Sequence, residues 1–482
     1  MGRRNAMGYA IGGRLATLGA TSSNGKRVLF LTTDFPPLAG TNTQRVFRLV
    51  SALSGFGWEP EVMTLAIADM PEISSRDLVG LPPAVGVTRI PSPDPFRRFA
   101  RSRGRVPPDR SRPEKPREMK SGSADHRRSR LEDVGFRDWA RLPLDWASRG
   151  LLWYLKHASY MPDGHAPWAK AAAREVVRRP QANWPHVLVT SCPSFSSHVA
   201  GLRIKRKTNL PWIADFRDLW TDRPYRKGNS ILHQPMERRL ERMVFERADH
   251  VILASPGWIE HFRQKYGSLV EGKLTALPAG FVGRQRPRSQ GSRTPGKLRF
   301  VYTGAMFGAE TPAPFLTGLG NVLLRQPQYR ERVEVRFFGY GGAEPPRLQD
   351  LVRQYDLESI VTFSDPIPHD SCLAEQDEAD VLLLFSGPLH LQTVRGKTFE
   401  YLSTGKPILA MIPLGGAQAG ILEEAGTALT VAHGDVSAAE RAIENLMDDA
   451  SRARLAPDWT YINSFEQRQI AGRLADIMER LV

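Results

Sequence analysis

Short aliphatic runs alternate along this chain with longer stretches that gather apolar residues on one helical face. Arg27–Thr33 (RVLFLTT) predicts a strand, ended by Asp34-Phe35-Pro36-Pro37. Ala39-Gly40-Thr41 then leads into a helix with Val46, Leu49, Val50 and Leu53 on one face. Gly55-Phe56-Gly57 stops that helix, and Glu61–Leu65 is the next strand. A β–loop–α–β opening starts a parallel sheet. Further on, helices are expected at Ala169–Arg179, Phe195–Arg206, Gln234–Ala248 and Trp258–Tyr266. Strands are expected at His186–Thr190, Pro211–Asp215, Val251–Ala254 and Leu274–Leu277.

Residues 281–297 hold Gly, Pro, Ser and Arg with few apolar side chains, which is the composition of a linker. The alternation then restarts. Strands are expected at Leu298–Thr303, Glu334–Phe338, Val361–Phe363, Val381–Phe385 and Pro407–Met411. Helices are expected at Ala313–Arg325, Arg347–Tyr355, His369–Glu378, Thr398–Ser403, Ala417–Ala425, Ala438–Asp449 and Phe465–Leu481. The fold class is α/β, with two parallel-sheet units facing a cleft. Ligands of such sheets bind outside the carboxyl ends of the strands, which places the site in the cleft. The organisation is a tail over 1–26, a first domain over 27–280, a linker over 281–297, a second domain over 298–455, and a final helical segment, 456–482, packing back towards the first domain.

The chain has 482 residues, 41% hydrophobic and 24% charged, near the values of soluble globular proteins. The longest wholly apolar runs are short, so none spans a bilayer. Two cysteines, Cys192 and Cys372, exclude a disulfide framework and a cysteine-rich metal site, and fit a reducing compartment. The formal net charge is +15, and it is unevenly spread. Residues 97–130 carry thirteen Lys/Arg against four Asp/Glu with five apolar residues. Such a segment buries too little apolar surface to offset its ordering entropy and reads as a disordered basic insertion. It is either a solvated loop or an element that adsorbs to an anionic membrane face, at about 1 kcal/mol per basic residue near the surface. No helix-turn-helix, zinc-finger or RNA-binding signature accompanies the charge, so nucleic acid is not expected as a partner. Residues 1–26 lack acids and lack an apolar signal core, and read as a disordered tail. Phe136–Tyr160, with Trp139, Trp146, Trp153 and Tyr154, is an aromatic helical region, either buried or a surface element for a membrane or acceptor.

Five motifs, in order, carry a family resemblance. Lys397-Thr398-Phe399-Glu400-Tyr401-Leu402-Ser403-Thr404-Gly405-Lys406-Pro407 resembles the C-terminal signature of GT-B glycosyltransferases of the family 4-like group. Asp34-Phe35-Pro36-Pro37 with Gly40 resembles the first loop of the acceptor domain. Ala214-Asp215-Phe216-Arg217-Asp218-Leu219-Trp220 resembles an acceptor-domain motif of bacterial polysaccharide-type members. Ala248-Asp249 before Val251–Ala254 resembles the approach to the linker, and Phe338-Gly339-Tyr340-Gly341 the glycine turn of the donor domain. The resemblance covers most of 27–478. It implies two Rossmann-like domains and transfer of a sugar from a nucleotide sugar to a glycan or lipid-linked acceptor. For most of the family it implies retention of configuration without a metal. No cofactor is expected, since the nucleotide sugar is a substrate. The expected location is the cytoplasm, at the inner face of the plasma membrane if 97–130 adsorbs there.

Sugar transfer needs a grip on the nucleoside, cations for the leaving diphosphate and a placed acceptor hydroxyl. A carboxylate accepts both ribose hydroxyls, and the resemblance implies that role for Glu400. Eight residues earlier the family has a second glutamate that contacts the sugar. Here that position is Gln392, which hydrogen-bonds but carries no charge. Family members often bind the diphosphate through an Arg and a Lys after the first donor-domain strand. Gly304-Ala305-Met306-Phe307-Gly308 contains neither, so Lys397 and Arg395 are the substitutes, beside the turns at Gly304 and Gly339. On the acceptor side Gly40 permits close backbone approach. His198 is expected to face the cleft, as a ligand of sugar or acceptor or as a structural histidine. Asp215, Arg217 and Asp218 cluster at a strand end. Asp218 is the candidate to orient or deprotonate the acceptor, the alternative being an Asp–Arg pair that braces the loop with Trp220 as anchor. Three other readings stay open: a GT-B-fold sugar-nucleotide epimerase, a non-catalytic partner subunit, and a nucleic-acid binder that rests on charge alone.

Overall fold

A computed structural model describes residues 25–38, 41–70, 85–93, 160–223, 233–283, 296–306, 310–339 and 345–482. The tail 1–24, the basic insertion 97–130, all of the aromatic stretch except Tyr160, the linker residues 284–295 and Gly40 lie outside them.

Seven parallel strands build the first sheet: β1 (Lys26–Leu31), β2 (Trp58–Leu65), β3 (Gly86–Ile90), β4 (Val187–Ser191), β5 (Trp212–Phe216), β6 (His250–Leu253) and β7 (Leu274–Ala276). Their order is β3-β2-β1-β4-β5-β6-β7. Six strands build the second sheet: β8 (Leu298–Thr303), β9 (Val333–Phe338), β10 (Val361–Ser364), β11 (Val381–Phe385), β12 (Ile408–Ile412) and β13 (Ala428–Ala432). Their order is β10-β9-β8-β11-β12-β13, again all parallel. In each sheet the order reverses beside the first strand, between β1 and β4 and between β8 and β11, which is where open α/β sheets bind ligands.

Alternation along the strands explains why both faces are covered. Val28 and Phe30 of β1 enter one buried cluster, while Leu29 and Leu31 enter another on the opposite face. Val381, Leu383 and Phe385 of β11 face one way, and Leu382 and Leu384 the other. β3 and β13 are edge strands not expected from the sequence. Most of their residues are only half-buried, and β3 carries Thr88 and Arg89 among its five residues. β1 also begins at Lys26, inside the segment expected to be tail.

The final segment, 456–482, divides between the domains. Ile462 and Phe465 pack in the second domain. The helix Gln467–Glu479 then crosses over, and its Ile470, Leu474, Ile477 and Met478 join Val46, Leu49, Val50 and Leu53 of the helix Thr41–Leu53. The two crossings are tied together: Phe281 N–H donates to Phe465 O at 3.1 Å, and Gln467 N–H to Phe281 O at 2.8 Å. Among the described residues no helix is long and apolar enough to cross a membrane.

Candidate functional site

β8 and β9 end in glycine turns that pack backbone to backbone. Gly304 has φ +107° and Gly339 φ +87°, and a Cβ at Gly339 would stand 3.0 Å from the Gly304 carbonyl carbon. Gly304 N–H donates to Phe338 O at 2.9 Å.

Above this floor runs the short helix Gly396–Leu402. Thr398, Phe399, Tyr401 and Leu402 are its buried side, which leaves Lys397 and Glu400, three residues apart, as neighbours on the other. Tyr401 Oη accepts from Thr303 N–H at 3.0 Å, and Gln376 Nε2 donates to Thr303 Oγ1 at 2.9 Å, so the end of β8 is fastened to the helix. Lys397 Nζ donates to Tyr302 Oη, sits 4.0 Å from the centroid of that ring, and lies 3.1 Å from where a Gly304 Cβ would be. Burial, then Arg395, pushes the Lys397 ammonium down to about 7, against the opposing pull of Glu400 and Cys372. Glu400 Oε1 lies 3.7 Å from Arg48 Nη2, contributed by the first domain, and 3.8 Å from His369 Nε2.

Arg395 precedes the helix, and its backbone N–H donates to Gln418 Oε1 at 3.1 Å. Its guanidinium is paired with the buried carboxylate of Glu310. That pairing offsets the charge expected to serve a diphosphate.

Across the cleft the structure corrects two expectations. His198 does not face the cleft: it is fully buried, its ring stacks on Phe216 at 4.5 Å between centroids, and its Nδ1 is 2.8 Å from Thr190 Oγ1. Burial pushes its pKa down to about 3, so it is neutral at ordinary pH. Packing on the aromatic core decided its orientation, which helical position alone does not. Asp215 is not a loop ligand either. It lies at 2% exposure in β5, held by Arg45 Nη2 at 2.9 Å and by Ser191 Oγ at 2.8 Å. Burial alone would raise its pKa, but Arg45, Arg217 and Ser191 prevail and hold it below the usual range. Arg45 also donates to Leu277 O and Pro278 O, at 2.7 and 2.9 Å, and so ties β5 to the chain leaving β7. The brace is thus real, and the arginine that hydrogen-bonds Asp215, Arg45, comes from the helix Thr41–Leu53.

Arg217 is half-buried, with its backbone N–H on Cys192 Sγ at 3.2 Å. Asp218 is exposed, and Trp220 behind it is buried and stacked on Phe195 at 4.8 Å. Glu241, fully buried, fixes the next turn by accepting from Thr221 N–H at 2.8 Å and from Lys265 Nζ. Asp218 therefore sits on a braced turn.

Gln392 is exposed and lies where the two domains meet. Its carboxamide lies against the other domain: a Cβ at Gly257 would stand 2.2 Å from Gln392 Oε1 and 3.0 Å from Gln392 O. Ser255 Oγ donates to the same Gln392 O at 2.5 Å. Gln392 is a contact between domains in this arrangement.

Arg45, Arg48, Glu310, Tyr302 and His369 were not singled out from the sequence. Arg45 carried one local signal: it falls one turn before Leu49 and two before Leu53, a cation in the apolar stripe of its helix. The others have none, because their partners are far away in the chain.

Residues 40–280 match the Glycosyl transferase 4-like domain, and residues 299–449 match Glycosyl transferases group 1. A D-inositol 3-phosphate glycosyltransferase of Kineococcus radiotolerans is 24% identical over 231 residues, 44% of this chain. The chain spans about half of that relative, 52% of its length. Among solved structures, a sucrose-phosphate synthase of Thermosynechococcus elongatus is 17% identical with a TM-score of 0.59, covering 95% of this chain and 99% of the other. Anabaena HepE, solved with UDP and glucose, is 13% identical with a TM-score of 0.57, covering 94% of this chain and 100% of the other. These likenesses show the fold. With both sheets in Rossmann-type order and one family domain matched on each side of the linker, the chain belongs to the glycosyltransferases of the 4-like group, on the GT-B fold.

Proposed function

We propose that this protein transfers a sugar, of hexosyl type, from a nucleotide-sugar donor to a glycan or lipid-linked acceptor in cell-surface polysaccharide synthesis. The observation that carries the reading is the placement of Lys397 and Glu400 on one side of the helix Gly396–Leu402, above the Gly304–Gly339 floor. Glu400 takes the ribose hydroxyls, and Lys397 meets the diphosphate where the backbone is bare. The acceptor oxygen bonds to the anomeric carbon. The bond from that carbon to the diphosphate breaks with its electron pair on the diphosphate. The acceptor attacks from the face that the diphosphate leaves, and its proton passes to a diphosphate oxygen, so configuration is retained without a dedicated protein base or a metal. Asp218, exposed on its braced turn, orients the acceptor hydroxyl. The basic segment 97–130 holds the enzyme to the anionic inner face of the plasma membrane, where a lipid-linked acceptor resides.

The first experiment is thermal stability against UDP, GDP, ADP, dTDP and CMP. A ligand at one hundred times its Kd stabilises by about 2.7 kcal/mol, enough for a visible melting shift. A shift with one nucleotide, reduced in Glu400→Ala, supports the donor site and names the base. The acceptor screen then includes D-inositol 3-phosphate beside lipid-linked sugars. Two observations favour a second reading, a non-catalytic partner that keeps the fold. Gln392 rests on Gly257 of the other domain, and Glu310 pairs Arg395, which leaves both less available to a donor. Folded protein that shifts with no nucleotide selects that reading.

A further inference from the structure

Resting on the nucleotide-sugar reading above, we propose that Arg48 of the first domain supplies the permanent positive charge that holds the donor's diphosphate across the cleft. A leaving diphosphate is polyanionic and needs cations fixed before reaction. The charges on both sides point to which cation is available. Arg395 is paired with Glu310. Arg45 is buried against Asp215 and two carbonyl oxygens. Arg217 is half-buried, with Asp215 and Asp34 in its field. Lys397 stands over the glycine floor, but burial brings its pKa to about 7, so near neutrality it is charged only part of the time. His369 offers an imidazole, which is not a permanent charge.

Arg48 is different in kind and place. A guanidinium is planar and delocalised, with a rigid fork of donors, and that of Arg48 reaches from the helix Thr41–Leu53 to the second domain. Its contact there is Glu400 Oε1 at 3.7 Å, long for an ion pair and without a hydrogen bond of ordinary length. Both side chains keep some access to solvent, 16% and 22%. When ribose hydroxyls donate to Glu400 they take up the acceptor capacity that faces Arg48. The guanidinium is then left one side-chain swing from the phosphates attached to that ribose, and its planar fork suits two phosphate oxygens. Donor binding and approach of the two domains would be one event, because the ribose ligand and the phosphate ligand belong to opposite walls.

A double-mutant cycle tests this. Calorimetric affinity for the nucleoside diphosphate that shifts wild-type melting is measured in wild type, Arg48→Gln, Glu400→Ala and the double variant, with melting of unliganded protein as the check on folding. The expected result is a loss of about tenfold or more in Arg48→Gln that persists in the Glu400→Ala background, with partial recovery in Arg48→Lys. An Arg48→Gln effect that vanishes once Glu400 is gone overturns the proposal, since Arg48 would then act only through Glu400. An unchanged affinity in Arg48→Gln overturns it as well. Wild-type protein that binds none of the nucleotides overturns the donor reading together with this one.

Discussion

The Lys397 ammonium stands 4.0 Å from the centroid of the Tyr302 ring and donates to that ring's own hydroxyl. The ring face is attractive to a cation, but it replaces little of the water the ammonium gives up. Lys397 is therefore held where an incoming anion would recover the lost solvation, beside a backbone that carries no side chains at Gly304 and Gly339.

This arrangement makes donor binding depend on pH. With the free-site pKa at about 7, the charged form is lost as pH rises. Affinity for the nucleoside diphosphate should fall by about fivefold from pH 7 to 8 and by nearly tenfold per unit beyond. That window lies above the last phosphate ionisation, near 6, so the ligand's own charge is constant. Unliganded stability runs the other way. A lysine whose pKa is lower when folded binds fewer protons folded, so its burial cost is relieved between about 7 and the ordinary 10.5. Calorimetry across this range checks both signs, and Lys397→Gln should bind weakly with a flat profile.

Arg45 and Asp215 make a second prediction. Arg45→Met leaves a buried carboxylate without its cation and should cost about 3–5 kcal/mol in denaturant unfolding. Arg45→Met with Asp215→Leu should cost less than Arg45→Met alone. The acid side follows from sign. Asp215 is depressed below its ordinary 3.8 in the native chain, so its contribution is present above that value and is lost as pH falls through the native one. Arg45→Met removes the depression, and acid unfolding should then begin at higher pH.

Gly257 tests the contact between domains. Even one methyl there would meet Gln392 O and the Ala417 side chain at 3.0 Å. Gly257→Val should hold the walls apart, break the Ser255–Gln392 hydrogen bond and enlarge the radius of gyration in X-ray scattering. Donor KM should rise while the melting of the unliganded protein is retained. Unchanged scattering and unchanged KM would show that this contact has no part in bringing the walls together.

Most of the fold was legible along the chain. Strands buried on both faces, such as Val381–Phe385, need uninterrupted aliphatic residues, and the helices between them need a one-sided stripe. β3, an edge strand with Thr88 and Arg89 in its five residues, shows no such run and was missed; β13 was missed although it is mostly apolar. Within the site, Lys397 and Glu400 could be read because a helix fixes residues three apart on one side. Local spacing had no means of placing His198, whose burial against Phe216 depends on a strand and helix meeting in space.

By itself, then, the sequence determined the two-domain parallel architecture, the family, and the helix that presents Lys397 and Glu400. These follow from local periodicity and contiguous motifs. Tertiary structure alone decided which charges are still available. Glu310 meets Arg395 from 85 positions earlier in the chain, and Asp215 meets Arg45 from 170 positions away. Tertiary structure also decided that Arg48 faces Glu400 and that Gln392 faces Gly257, since both contacts exist only where the two domains meet. A charge's value to a diphosphate depends on its desolvation and its partners, and both are set by neighbours in space.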